Sequence, residues 1–377
     1  MSRTDYDVAI IGAGIVGLAH TLSAADRGLN VVVFEAADAV LGASVRNFGH
    51  ACVTAQTGDA LVRARASRDV WMRLAQPVES GGAGLWAQAA GTLVAARHAD
   101  EMAVLEAFQP LREPGEVRLL RPAEVSELGG FGNGQIVGGA VLPLDLRVNP
   151  RAAAPTLARW LERVRGVEFR YGTTVQSVEP TRVITADGPI GASAVLVCVN
   201  HEIGRFFPAV ASAGAVESCT LQMLRVSCAK IGVVGPAVLS GYSMLRYGGF
   251  VDAGCTGPVR ERLERERPEA LEAGLNLMLT QLPEGDLIIG DTHRYDPSPH
   301  PFSSAEWDRL VVDETARLLG VRTEDLVVRQ RWLGCYASSP TSYLVEQPLP
   351  GVHVVSVTTG IGMTTAFGLA EEIVAAL

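Results

Sequence analysis

The sequence predicts an α/β protein in which a doubly wound parallel sheet is interrupted by a second, inserted domain. Three observations carry that expectation. Residues 6–34 read as strand, glycine turn, helix and second buried strand, a βαβ unit at the start of the chain. Residues 351–377 read as another strand, glycine turn and helix. Between them no Pro/Ser-rich linker and no internal repeat divides the 377 residues, so the sheet-forming segments are expected to interleave with the rest.

The first strand is the β-branched run 6–11, and Gly12-Ala13-Gly14-Ile15-Val16-Gly17 forms the turn. A helix follows over 18–27, closed by Gly28 beyond its last turn, and the second strand covers 30–34. A glycine- and alanine-rich loop, 41–58, leads into a long helix over 59–74, then strands and turns with a short helix near 100–108. Asn149 caps a helix over 150–164 with Pro150 at its first turn. Strands are expected at 167–170, 175–178 and 194–199, and charged helices at 258–267 and 304–319. The last strand, 352–357, precedes a terminal helix over 364–377.

Composition removes several function classes. The formal net charge is −9 and no basic stripe is visible, which argues against nucleic acid as a partner. Six cysteines show no C-x-x-C pair and no histidines at ligand spacing, so no metal site or disulfide framework is expected, and a reducing compartment fits best. The polar start MSRTDYD is no signal peptide. Residues 8–25 are apolar but hold three glycines, His20, Thr21 and Ser23, so no membrane span is read there and a cytoplasmic protein is expected.

In Gly12-x-Gly14-x-x-Gly17, the first glycine permits the tight turn and the second lets a pyrophosphate approach the backbone. The third lets helix pack on strand, as in a Rossmann-like unit. Glu35, eighteen residues beyond Gly17, ends the second strand where a carboxylate accepts ribose hydroxyls. The glycine turn Gly360-Ile361-Gly362-Met363-Thr364 offers a second helix N-terminus toward an electron-rich part of a long cofactor. Two such junctions fit FAD better than NAD.

With these motifs, the chain resembles the FAD-dependent D-amino-acid oxidase superfamily, in the branch of glycine and sarcosine oxidases. The matching stretches are 8–19 with Glu35, Gly42-Ala43-Ser44-Val45-Arg46-Asn47-Phe48-Gly49-His50, Val148-Asn149-Pro150, and 360–372. The resemblance implies a Rossmann-like FAD-binding domain interleaved with an α+β substrate domain built on a mostly antiparallel sheet. The cofactor domain is expected over 1–78, 149–207 and 333–377, and the substrate domain over 79–148 and 208–332. It implies oxidation of an amine by hydride transfer to flavin, with oxygen as acceptor. Gly12, Gly14, Ile15, Val16, Gly17, Glu35, Ala36, Ser44, Arg46, Asn47, Val175, Gly334, Gly360, Gly362, Met363 and Thr364 would then meet the cofactor. Arg46 also reads as a surface cation. Cys335 lies near the place where some sarcosine oxidases attach flavin covalently, one residue out of step relative to Pro340.

Substrate anchoring departs from that pattern. Glycine oxidases carry a carboxylate-gripping arginine after Trp-x-Gly-x; here Trp332-Leu333-Gly334-Cys335 leads to Tyr336. The lysine that sarcosine oxidases place in the C-terminal turn is replaced by Met363-Thr364-Thr365. The remaining stretches, 46–49, 221–225, 245–247 and Gly290-Asp291-Thr292-His293, resemble a bacterial branch linked with aminophosphonate breakdown. His50, Arg246, His293, Tyr336 and Thr364 are the candidate substrate residues, each open to a purely structural reading. Arg331 is ambiguous because its strand can point it outward. No dedicated acid–base residue stands out. The implied substrate is 2-aminoethylphosphonate or an N-alkyl relative. Alternatives are a dehydrogenase of glycine- or sarcosine-type amino acids with another acceptor, an NAD enzyme, and a non-catalytic flavoprotein subunit.

Overall fold

Four consecutive buried residues, Val8 to Ile11, make the strand Tyr6–Ile11 a core strand shielded on both faces. In the computed structural model, which describes residues 5–131 and 135–377, this strand is flanked in parallel by Val31–Phe34 and Gly188–Val197. Glu168–Arg170 and Val352–Thr359 extend the parallel set on the two sides. Met1 to Thr4, the start of the polar N-terminal segment, lie outside the described residues.

Helices cover this sheet. Ile15–Asp26 follows the first strand, and Gly362–Val374 packs against both it and Gly58–Ala75. Trp71 fixes the last pairing: its ring meets Phe367 edge-on at 5.0 Å and its indole N–H donates to the Met363 carbonyl at 2.8 Å. Asn149 caps Pro150–Arg165 as its sequence predicts, accepting from the Arg151 amide at 3.1 Å. Several short helices go unread in the sequence; the longest of them is Pro122–Gly129, although proline at its first position and Glu124 accepting from the Arg121 amide are start signals.

The other half of the molecule is a mostly antiparallel sheet of apolar strands, in which Glu217–Ser227 lies between Leu287–Gly290 and Val327–Leu349. Among the described residues its one parallel pair joins Ala237–Leu239 to Thr92–Ala96. The two halves are not separate sheets. The 23-residue strand Val327–Leu349 pairs with Glu217–Ser227 along its first part and with Val352–Thr359 along its second, giving one sheet of 16 strands. A domain boundary at 332/333 therefore cuts a continuous strand, because the same backbone serves both halves. Among the described residues no helix is long and apolar enough to cross a membrane.

Candidate active site

A cavity of about 580 Å³ opens between the C-terminal ends of the parallel strands and the antiparallel sheet. At one end the glycine turn behaves as its spacing requires. Gly12 has φ +100°, and a Cβ there would lie 2.6 Å from the Cys198 carbonyl oxygen. A Cβ on Gly17 would collide with the Gly12 carbonyl, whereas one on Gly14 would meet only Ser44 Oγ, at 3.4 Å, and fill cavity space. Glu35 is held by the amides of Ala13 and Ala37, both at 3.0 Å. Ser44 Oγ accepts from the Ile15 amide at 2.7 Å.

Neither the helix Ile15–Asp26 nor Gly362–Val374 carries a side-chain cap or an acid in its first turn. Both begin on the cavity wall, so two positive helix ends face the same space. The glycine cradle, the Glu35 carboxylate and the two helix N-termini fit FAD, whose length needs both junctions. Asn47 shapes the wall between them: its amide donates to the carbonyls of Ala43 and Ser44 while its oxygen accepts from Gly49.

The opposite end is polar and enclosed by the antiparallel sheet. Arg246 is exposed to the cavity, donates to the Tyr295 hydroxyl at 3.0 Å, and has no carboxylate partner among the described residues. Asp291 is 5% exposed, and its Oδ1 has no hydrogen-bond partner. Burial pushes its carboxyl up to about 7, opposed by the nearby Arg246 and by the proximity of its own amide and the Asn276 side chain. His293 is held well below the ordinary imidazole value by burial and then by Arg246. Its Nδ1 sits 2.9 Å from the Gly274 carbonyl, so the proton of the neutral ring is on Nδ1 and Nε2 is an acceptor. Tyr336 lies beside His293, with ring centroids 6.3 Å apart, and burial keeps its phenol neutral.

Every residue that the sequence singled out for cofactor or substrate lines this cavity, except Gly17, which packs helix on strand. Three qualifications come from geometry. His293, expected to donate to the substrate's acid group, presents an acceptor instead, because its donor is engaged by Gly274. His50 reaches the wall, but its Nε2 is tied at 2.6 Å to Thr92 Oγ1, which donates to buried Asp145, also at 2.6 Å. Arg331 turns away and pairs with Asp308 at 2.8 Å. Asp291, Asn276 and Tyr247 were not legible as site residues; a lone acid or amide in an apolar strand region carries no spacing signal. Cys335 lines the cavity with its thiol pushed up to about 11 by burial, which disfavours the reactive thiolate.

Comparison with known proteins agrees with this geometry. The chain is 23% identical over 379 residues to an opine oxidase subunit from Rhizobium meliloti, covering 97% of this chain and 92% of the relative. Glycine oxidase from Geobacillus kaustophilus shares the fold, with a TM-score of 0.78 at 20% identity over 99% of this chain and 94% of its own. So does iminodiacetate oxidase from Chelativorans sp. BNC1, with a TM-score of 0.75 at 18% identity over 98% and 94%. The family model described as "FAD dependent oxidoreductase", DAO, matches residues 7–376. The chain belongs to this DAO family of FAD-dependent oxidoreductases, and its cofactor is FAD.

Proposed function

We propose that the enzyme oxidises an amine that also carries an acidic group, with 2-aminoethylphosphonate or its N-alkyl derivative as preferred substrate, phosphonoacetaldehyde as product and oxygen as acceptor. The observation that carries this reading is Arg246, a cavity guanidinium without a carboxylate partner. A cavity cation left unpaired by its own protein is matched by an anionic ligand. Tyr336 and Thr364 stand where relatives of this type are expected to place cationic carboxylate anchors, so the cavity favours a head group that meets dispersed donors. Three phosphonate oxygens engage Arg246 and the Tyr336 hydroxyl more fully than two carboxylate oxygens do.

FAD, when bound, supplies acceptance of a hydride from the amine-bearing carbon and delivery of the electrons to oxygen. The protein's part is to hold that carbon in place through the acid group and to exclude bulk water from the enclosed end. The substrate is left as an imine, whose hydrolysis gives the aldehyde. A second reading, a secondary amine bearing carboxylates, is favoured by the likeness to the opine oxidase subunit and to iminodiacetate oxidase. Oxygen uptake across amines that differ only in their acidic group separates the two. Faster oxidation of glycine, sarcosine or iminodiacetate than of every aminophosphonate would reject the phosphonate.

A further inference from the structure

Two acceptor atoms face each other in the polar end of the cavity with no donor of their own between them. Nε2 of His293 lies 3.8 Å from Oδ2 of Asp291, and the single proton of the neutral imidazole is on Nδ1, against Gly274. The other Asp291 oxygen has no partner at all. Arg246 is near enough to act on both groups electrostatically, yet it makes no salt bridge with Asp291. Buried acceptors in this arrangement require a donor from outside the protein or a proton on the carboxyl.

We propose that Asp291, with His293 Nε2 beside it, receives the ammonium group of the substrate and takes from it the proton that must leave before oxidation. The site is thus bipolar: Arg246 meets the substrate's acid group, and the Asp291–His293 pair meets its amine. In the transfer one N–H bond breaks and one O–H bond forms at the Asp291 carboxylate. The N–H electron pair stays on nitrogen as the lone pair that amine oxidation needs, and no electron changes hands. The groups facing Asp291 are Arg246, His293, the phenol of Tyr247, the Cys219 thiol and the Asn276 amide; only Arg246 is charged near neutrality. The inference rests on the reading of the cavity as an amine-oxidising site but not on the identity of the acid group.

The test compares an amine with its amine-free match in the FAD-loaded enzyme. For Asp291→Asn, KM for the aminophosphonate substrate is expected to rise about ten- to a hundredfold. The inhibition constant for ethylphosphonate is expected to stay the same or fall, because a negative charge near its anion has been removed. In the wild type, kcat/KM is expected to rise as pH passes about 7, the value at which Asp291 ionises, and this limb is expected to vanish in the variant. Equal changes for both ligands, or no change for either, would overturn the role of Asp291. If the variant fails to hold FAD, the wild type alone decides. Lowering pH through 7 must weaken the amine more steeply than ethylphosphonate, whose head group ionises in the same range as the substrate's, and equal weakening overturns the proposal. Should the wild type accept glycine but no phosphonate, the substrate reading fails separately, and glycine against acetate makes the same comparison. A wild type that binds neither amine better than its amine-free match also overturns the proposal.

Discussion

Gly360 and Tyr336 are in contact across the cavity wall: a Cβ on Gly360 would lie 3.0 Å from Cζ of the tyrosine ring. Gly360 also has φ +75°, in the left-handed region. The turn that opens the terminal helix toward the cofactor therefore sets the position of a substrate-side phenol. Gly360→Ala is expected to cost roughly 1–2 kcal/mol of backbone strain and to displace Tyr336. Thermal melting and KM report the two effects separately, and an unchanged KM would show that the ring does not touch substrate.

The cofactor turn separates two kinds of glycine. Gly14→Val is expected to fold and lose FAD, because its side chain enters cavity space near Ser44. Gly17→Val is expected to lower stability as well, because its Cβ meets the backbone of Gly12. Absorbance of bound flavin against the melting curve distinguishes them.

FAD is expected to leave the protein on denaturation, since both cysteines on the cavity wall, Cys198 and Cys335, have thiols raised by burial. Cys335→Ser should retain yellow, active enzyme. Flavin that stays with the precipitated protein would contradict this.

Arg246→Ala removes the unpaired guanidinium. A lost charge-assisted hydrogen bond costs about 1.5–3 kcal/mol, so KM for the acidic amine is expected to rise about ten- to a hundredfold with FAD content unchanged. Steady-state kinetics with 2-aminoethylphosphonate checks it. A simple alkylamine, lacking the acid group, should not respond.

Asp291 also makes stability depend on pH. Its folded value of about 7 lies above the ordinary 3.8, so its contribution is full below 3.8 and is lost as pH rises toward and through 7. At about 1.4 kcal/mol per pH unit the loss is at most about 4 kcal/mol. Without ligand, Asp291→Asn is expected to be the more stable protein at about pH 8, with the gap narrowing toward about pH 4. Melting curves across that range test it, and parallel curves would place the ionisation elsewhere.

The cofactor end was legible in the sequence because its contacts are local. Strand, turn and helix follow one another within residues 6–34, and Glu35 is only eighteen residues past Gly17. The polar end was legible only as a resemblance. Arg246 and Asp291 are brought together by the antiparallel sheet, in which Gly290 pairs with Met223 and with Met278, and no spacing encodes that register. Deducing the His293 tautomer requires the Gly274 carbonyl, nineteen residues away. The long strand stayed hidden for another reason. Pro340 interrupts its apolar pattern, and its pairing with the next strand shifts between Ser338 and Tyr343.

Because Val327–Leu349 is a plank in both floors of the molecule, the halves cannot be treated as exchangeable cassettes. Cutting at residue 332 would strip an edge from each and leave two rows of unpaired backbone groups. Grafting the substrate half of a relative onto this cofactor half must carry the strand as a shared part, with its shift in pairing intact. Changes in specificity are thus more accessible through side chains at the polar end, Arg246, Asp291, His293 and Tyr336, than through recombination of whole segments.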